Sequence, residues 1–114
     1  MEQKFYCQKD IVLIPFPYSD LTGSKRRPAL IISNEKLNKT EDRICCLVTS
    51  NIHERDIEIK NSDFENGRLL FKSSVKPHRI FTIDKKIIIK KLCTINDRFH
   101  NEIIKKVNDF LKLI

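Results

Sequence analysis

The stretch DIVLIPFPYSDLTGSKRRPALIIS, residues 10–33, decides the fold. It contains two runs of branched apolar residues on either side of a polar loop, which is the pattern of two strands joined by a turn-rich segment. The strands are predicted over Asp10 to Phe16 and over Ala29 to Ser33. Because Pro28 biases the preceding residue toward extended geometry, we expect Arg27 to stand at the entry to the second strand.

The rest of the chain continues in short strands and ends in one helix. Further strands are predicted over Arg43 to Thr49, Asp56 to Lys60, Leu69 to Lys72, Val75 to Ile83 and Ile87 to Lys91. Asn61 to Gly67 is predicted to be a turn or a short helix. Apolar residues then recur every four positions from Ile95 to Leu111, with Thr94 as the cap and Asp97 completing a capping box. This order predicts a mainly β protein with some α structure: an antiparallel sheet of six or seven strands, curled into a small barrel and closed by a C-terminal helix.

Composition limits the function classes. The chain has 114 residues, 40% hydrophobic and 32% charged, which predicts one globular domain over residues 1–114. Only two glycines occur, Gly23 and Gly67, so neither a Walker A loop nor a Rossmann fingerprint can be written. No signal-peptide layout or long apolar run is present, which predicts the cytoplasm, and the four cysteines, without a C-x-x-C pair, are predicted to be small buried hydrophobes there.

The positive charge is concentrated in one segment. The net charge is +7, and residues 68–91 contain eight basic residues against one acid, whereas the remaining residues balance. Such a stripe is an electrostatic footprint for nucleic acid or for an acidic protein. The alternative is a solvated face without a partner.

Three blocks in this order resemble the MazF/PemK family of toxin endoribonucleases. They are the opening stretch, residues 10–33, the LVTS of Leu47 to Ser50, and the SVKPHRIFTIDK of Ser74 to Lys85. The resemblance implies an SH3-like barrel that acts as a homodimer, cleaves single-stranded RNA without a metal or another cofactor, and is inhibited by a cognate antitoxin. The family usually has glycine where this chain has Lys9, a departure that concerns a backbone turn.

The resemblance places the catalytic residues at Arg27 and Thr49. Cleavage without a metal uses the neighbouring 2′-hydroxyl as nucleophile, so the site must move two protons and stabilise a charge-dense phosphorane. The Arg27 guanidinium meets the electrostatic demand, because it is always charged and its fork matches two phosphate oxygens. The Thr49 hydroxyl can bind the scissile phosphate or relay a proton. The alternatives are a strand-favouring residue for Thr49 and, for Arg27, a surface cation or an ion pair with Asp20.

Substrate binding is predicted for cations and aromatic residues around this pair. The predicted RNA-binding residues are Lys25, Arg26, Tyr18, Lys76, His78 and Arg79, with Tyr18 and Phe16 as candidates for base stacking. For His78 an exposed strand histidine is the alternative, and for Phe16 a core residue. None of the three histidines, His53, His78 and His100, has metal-ligand spacing, so no metal site is predicted.

The partners expected are single-stranded RNA and an antitoxin that lays an acidic, partly disordered segment across the basic groove. One rival function is a CcdB-like toxin or binding module that inhibits a protein target without cleaving RNA. Another is a general basic nucleic-acid binder, whose affinity would fall steeply with salt and would not depend on Thr49.

Overall fold

The computed structural model describes residues 5–16 and 25–114. Within them the strands are β1 Asp10–Phe16, β2 Lys25–Ile31, β3 Asp42–Thr49, β4 Ile57–Glu58, β5 Phe64–Gly67, β6 Ser74–Asp84 and β7 Lys90–Ile95. The helices are the single turn α1 Glu35–Asn38 and the long α2 Asp97–Leu111, with 3₁₀ turns at Asn61–Asp63 and Lys85–Ile87.

All seven strands belong to one antiparallel sheet in the order β4-β6-β3-β2-β1-β7-β5. The sheet is curled into a half-barrel, and α2 packs against it. This confirms the predicted fold class: a mainly β, antiparallel barrel-like sheet with a C-terminal helix.

Two apolar clusters flank the sheet because successive strand residues point to opposite faces. Ile11, Leu30 and Cys46 enter the larger cluster, which also contains the inner face of α2, and their chain neighbours enter the smaller one. The larger cluster continues through Val48, Val75, Ile95, Phe99, Ile103 and Val107. The central strands β1, β2 and β3 are therefore apolar on both faces. Packing against the two clusters holds these strands, and the residues at their ends, in place.

The helix begins later than predicted. Its N-cap is Asn96, whose side chain accepts from the Phe99 backbone N–H at 2.8 Å, so the prediction of Thr94 as the cap was wrong. Thr94 still lies in β7, where its hydroxyl donates to Asp10 at 2.8 Å. The Thr94 hydroxyl is already hydrogen-bonded within the sheet, so it does not cap the helix. The Asn96 side chain, which follows the strand, accepts the capping hydrogen bond instead.

The segment between β5 and β6 also differs from the prediction. Residues 69–72 form a loop and not a strand, since only Leu69 packs against the larger cluster while Leu70 and Phe71 face solvent. The chain turns at Gly67, whose φ is +73°, and a Cβ there would lie 3.2 Å from the Cβ of Cys93. The predicted last strand is likewise shifted, because Lys85–Ile87 form a turn capped by Asp84 and the strand starts at Lys90.

Lys9 occupies the left-handed region with φ +80°. This explains why a glycine is usual there in the family, because a side chain in this conformation is strained. Two ion pairs accompany the strain: the Lys9 ammonium lies 2.6 Å from Asp97 and 3.3 Å from Glu65, and the Asp97 hydrogen bond raises the pKa of Lys9. Lys9 therefore links the entry of β1 to the start of α2.

Three of the cysteines are buried as predicted, and Cys7 is exposed. Burial raises the pKa of Cys45 and of Cys46 to about 12 and that of Cys93 to about 11. These three thiols stay protonated and serve as apolar core residues.

Candidate active site

Arg27 and Thr49 are brought together by the pairing of β2 with β3. The ladder pairs Ile31 with Cys45 and Ala29 with Leu47. Continuing this register by two residues on each strand brings Arg27 across from Thr49. The ladder itself ends at the pair of Ala29 and Leu47, so Arg27 and Thr49 follow it on the ends of the two strands. Arg27 is itself fixed on its other side, where β1 pairs Ile14 with it.

Pro28 makes this arrangement possible. It lies inside β2, opposite Leu13 of β1, at the position where the ladder to β3 has ended. A proline cannot donate a ladder hydrogen bond, so pairing stops there on the β3 side and the sheet opens into a cleft. The second strand thus starts earlier than predicted, at Lys25, and Arg27 is a strand residue.

The cleft has a volume of about 330 Å³, and both Arg27 and Thr49 line it. Its walls also contain Arg26, Arg68, Leu70 and Phe71. Within the part of the chain that the structure describes, none of the three arginines forms a salt bridge with an acidic side chain. Asp20, the alternative ion-pair partner of Arg27, lies outside the described residues. The cleft is therefore lined by three arginines that have no acidic partner among the described residues.

Thr49 is nearly buried, at 6% exposure, and its hydroxyl is oriented. The Oγ1 atom accepts a hydrogen bond of 3.0 Å from the backbone N–H of Asn51, two residues further along the chain. Since this bond uses an oxygen lone pair, the hydroxyl proton remains available for donation into the cleft. The side chain can thus donate a hydrogen bond to a phosphate oxygen.

Lys76 has a different environment. Its ammonium lies 3.0 Å from the carboxylate of Asp56, whose side chain is fully buried, and Asp56 also accepts the backbone N–H of His53 at 2.9 Å. Burial favours the neutral form of Asp56, but these two partners outweigh it and hold the pKa of Asp56 below its usual value. Lys76 does not line the Arg27 cleft. Its ion pair with Asp56 stabilises the segment that follows Thr49.

His78 and Arg79 lie where β6 bulges. Cys46 pairs with Ile80 and Leu47 with Lys76, so residues 77–79 bulge out, as expected where Pro77 interrupts the ladder. The His78 ring packs edge-on against Phe110 of α2, with ring centroids 6.3 Å apart. Desolvation, with the nearby charges of Arg55 and Lys76, lowers the pKa of His78, so at neutral pH its ring adds no positive charge.

The predicted RNA-binding residues are therefore divided. Arg26 lines the cleft, and Lys25 is an exposed residue at the start of β2. Lys76, His78 and Arg79 are not among the residues that line it. Tyr18 lies outside the described residues, as does the side chain of Phe16. The RNA contacts of all these residues stay predictions.

Three cleft residues were not proposed from the sequence: Arg68, Leu70 and Phe71. Arg68 was counted in the basic segment, but Leu70 and Phe71 were assigned to a strand. Three large apolar residues, Leu69 to Phe71, directly follow Gly67 and Arg68. A glycine and an exposed cation at the start of so short an apolar run are the signal that could have identified a loop.

A larger cavity, of about 740 Å³, lies at the other end of β3 and is lined by Arg43, Phe5 and Cys7. The buried Arg43 guanidinium donates to the backbone carbonyls of Tyr6, Thr40 and Asp42 at 2.8 to 2.9 Å. Since these bonds tie three backbone segments together, Arg43 is a structural arginine.

Over residues 5–16 and 25–114, no group of three His, Cys, Asp or Glu side chains is arranged to hold a metal ion. In the same ranges, none of the helices combines the length and the apolar character that a membrane span requires.

A family model for the PemK-like, MazF-like toxins of type II toxin–antitoxin systems matches residues 7–111. The chain belongs to this family. The resemblance seen in the sequence is thereby confirmed, and the match extends beyond the three quoted blocks to include α2. No curated protein sequence matches the chain closely enough to count as a relative.

Solved structures of the same family share the fold. The MazE–MazF complex (Form-III) from Deinococcus radiodurans superposes with a TM-score of 0.76 at 20% identity, over 95% of this chain and 97% of that one. An endoribonuclease in complex with its cognate antitoxin, from a mycobacterial species, gives 0.75 at 18% identity, over 96% and 99%. The Mycobacterium tuberculosis toxin MazF-mt6 gives 0.71 at 13% identity, over 92% and 98%. At these identities the likeness establishes the family fold.

Proposed function

We propose that this toxin is an endoribonuclease that cleaves single-stranded RNA, mRNA included, without a metal, with Arg27 and Thr49 as its catalytic residues. The observation that carries the proposal is that Arg27 and Thr49 line one cleft. The family assignment supports the reaction class, and one of the related structures is that of an endoribonuclease.

The ribose 2′-hydroxyl gives up its proton to solvent as its oxygen attacks the adjacent phosphorus. The bond to the 5′-oxygen of the next nucleotide breaks and that oxygen takes a proton from solvent, which leaves a 2′,3′-cyclic phosphate and a 5′-hydroxyl. Negative charge builds up on the non-bridging oxygens of the phosphorane, and the Arg27 fork can bind two of them. The Thr49 hydroxyl, whose oxygen is held by the Asn51 N–H, donates a further hydrogen bond.

RNA binding extends from this cleft along cations that have no acidic partner among the described residues. Arg26 and Lys25 are on the same strand as Arg27 and are exposed, so they can bind the phosphates next to the scissile one. Tyr18, His78 and Arg79 remain proposed RNA-binding residues from the sequence. For Lys76 the ion pair with Asp56 must open before its ammonium can bind a phosphate.

The partner of this toxin is a cognate antitoxin. Two of the related structures contain the antitoxin bound to its toxin. We propose that the antitoxin of this chain places an acidic, partly disordered segment over the Arg27 cleft, where it competes with RNA. The active form is proposed to be a homodimer in the cytoplasm.

The proposal is tested by incubating purified protein in EDTA with a random-sequence RNA pool and analysing the product ends. Wild type should produce 2′,3′-cyclic phosphate and 5′-hydroxyl ends, and Arg27→Ala should lose them. RNA left intact by wild type would contradict the proposal. If the uncut RNA is accompanied by tight binding to a protein target, the rival CcdB-like function is supported.

A further inference from the structure

Two large apolar side chains protrude from the rim of the cleft. Leu70 is 94% exposed and Phe71 is 74% exposed, although both line the same cleft as Arg27 and Thr49. Leaving such surface in water forgoes the free energy that its burial would supply. An apolar patch of this kind beside a polar site is typical of a binding surface.

The exposure of Phe71 is fixed by the fold. Leu69 packs into the larger apolar cluster on one side of the loop. On the other side, the Ser73 hydroxyl donates to the carbonyl of Phe71 at 2.8 Å, and the Ser73 carbonyl accepts the N–H of Ile59 at 2.9 Å. Lys72 adds an ion pair to Glu58 at 3.4 Å. The loop backbone is held at both ends, so less backbone entropy is lost when a ligand covers the Phe71 ring.

We propose that residues 68–73 form a base-binding platform, in which a nucleobase next to the scissile phosphate stacks on the Phe71 ring. This inference rests on the proposed function. Arg68, Leu70 and Phe71, which line the cleft, together make up the base platform.

Charge decides in favour of a single-stranded nucleic acid as the occupant. Arg26, Arg27 and Arg68 line the cleft without an acidic partner among the described residues, and Leu70 and Phe71 line the same cleft. A strand of RNA offers both chemistries in alternation, an anionic phosphate and a flat base. A purely apolar partner would leave the three guanidinium groups desolvated and unpaired, which is costly.

Stacking on an aromatic ring contributes to binding affinity but does not select the base sequence of the RNA. Every base has a π face, so an aromatic ring accepts all four, and base identity must be read by other groups. The platform therefore predicts that Phe71→Ala raises KM for all substrates by similar factors while the cut positions stay the same. Because the ring lies at the rim and does not bind the reacting phosphate, kcat should change little.

The direct test measures binding without cleavage. The probe is a pool of fluorescent 12-nucleotide RNAs of random sequence in which every 2′-hydroxyl is methylated, so that no nucleophile remains. Phe71→Ala should weaken binding about 5- to 150-fold, the range for losing one stacked base. Phe71→Tyr should bind as wild type does, and Phe71→Leu, which keeps apolar area but has no π face, should show most of the loss.

Phe5→Leu is the matched control, because Phe5 is a similarly exposed phenylalanine, at 69%, that lines the other cavity. It should bind the pool as wild type does. Poly-L-glutamate, a polyanion without bases, serves as the second probe. Equal affinity of wild type and Phe71→Leu for RNA would overturn the platform. An equal loss of affinity for poly-L-glutamate would also overturn it, in favour of an acidic protein at this surface.

The platform and the proposed reaction fail in distinguishable ways. Binding of the methylated pool that depends on Phe71, with no cleavage of an unmethylated pool, would leave the platform standing and refute the nuclease. Cleavage by wild type, with Phe71 variants that bind and cleave equally well, would refute the platform alone.

Discussion

The Arg27 cleft and the Lys76–Asp56 pair both contain basic side chains that look equivalent in the sequence. In the cleft, three arginines have no acidic partner among the described residues and lie beside exposed apolar groups. The Lys76 side chain is 15% exposed, and its ammonium is bound to a buried carboxylate. Lys9 resembles Lys76, since it is held by Asp97 and Glu65. A count of cations along the chain therefore overstates the charge that a ligand meets, and pairing shows where charge is free.

The largest expected effect is that of Arg27→Ala on RNA cleavage. Removing one preorganised donor to a transition-state oxyanion typically lowers kcat about 10²- to 10³-fold. Stability should stay close to that of wild type, because no salt bridge to a described residue is lost. Arg98→Ala, an exposed arginine of α2, is the control for general charge loss. If both variants lost activity equally, the cleft would not differ from the rest of the surface.

Lys76→Met should lower stability more than RNA binding. It leaves the Asp56 carboxylate buried without its ammonium, a loss of about 1–3 kcal/mol in the free energy of unfolding. Urea titration gives this value, and the salt dependence of RNA binding provides the comparison. The slope of log affinity against log salt concentration would fall by about one phosphate contact if Lys76 bound RNA. That result, with unchanged stability, would mean that Lys76 contacts RNA and does not stabilise the fold.

Lys9 allows the cost of its backbone to be separated from its ion pairs. Lys9→Ala and Lys9→Gly both remove the ammonium, but only glycine relieves the left-handed φ of +80°. The glycine variant should be more stable than the alanine variant by about 1 kcal/mol. The difference between Lys9→Met and wild type measures what the ion pairs contribute to the free energy of unfolding. We expect less than about 1 kcal/mol. Thermal unfolding measures the stability of the three variants. Equal stability of Lys9→Ala and Lys9→Gly would show that the left-handed φ causes no strain.

The smallest effect concerns the acid limb of the stability curve. The pKa of Asp56 lies below its usual value in the folded state, so the unfolded chain binds more protons as pH falls. The stability from this group is complete above its usual pKa of about 3.8 and is lost as pH falls through the lower folded value. Asp56→Asn should flatten the curve in that window. An unchanged acid limb would show that the Asp56 pair contributes no pH-dependent stability.

The sequence predicted the fold, and it predicted two residues that the structure brings to one cleft, for a local reason. The two strands around residues 10–33 and the position of Arg27 before Pro28 follow from apolar runs and from the restriction that proline imposes. The family motif supplied Thr49, which apolar patterning alone cannot separate from other strand residues. These features depend on short stretches of chain, so the printed residues are sufficient.

Long-range partners were harder to predict. Nothing in the sequence near Lys76 shows that Asp56, twenty residues earlier, neutralises it, and the bulge at Pro77 that turns His78 toward Phe110 depends on the register of β6 with β3. Leu70 and Phe71 have the composition of a strand, but among the described residues no strand pairs with them and both lie in solvent. The base platform was missed for this reason.

The central claim, that Arg27 and Thr49 act on one phosphate, is tested most directly by a double-mutant cycle on the cleavage rate. Arg27→Ala, Thr49→Val and the double variant are compared with wild type in single-turnover reactions in EDTA. If both groups stabilise the same transition state, the double variant loses much less than the product of the two single losses. Losses that simply multiply, or a Thr49→Val rate equal to that of wild type, would contradict the account.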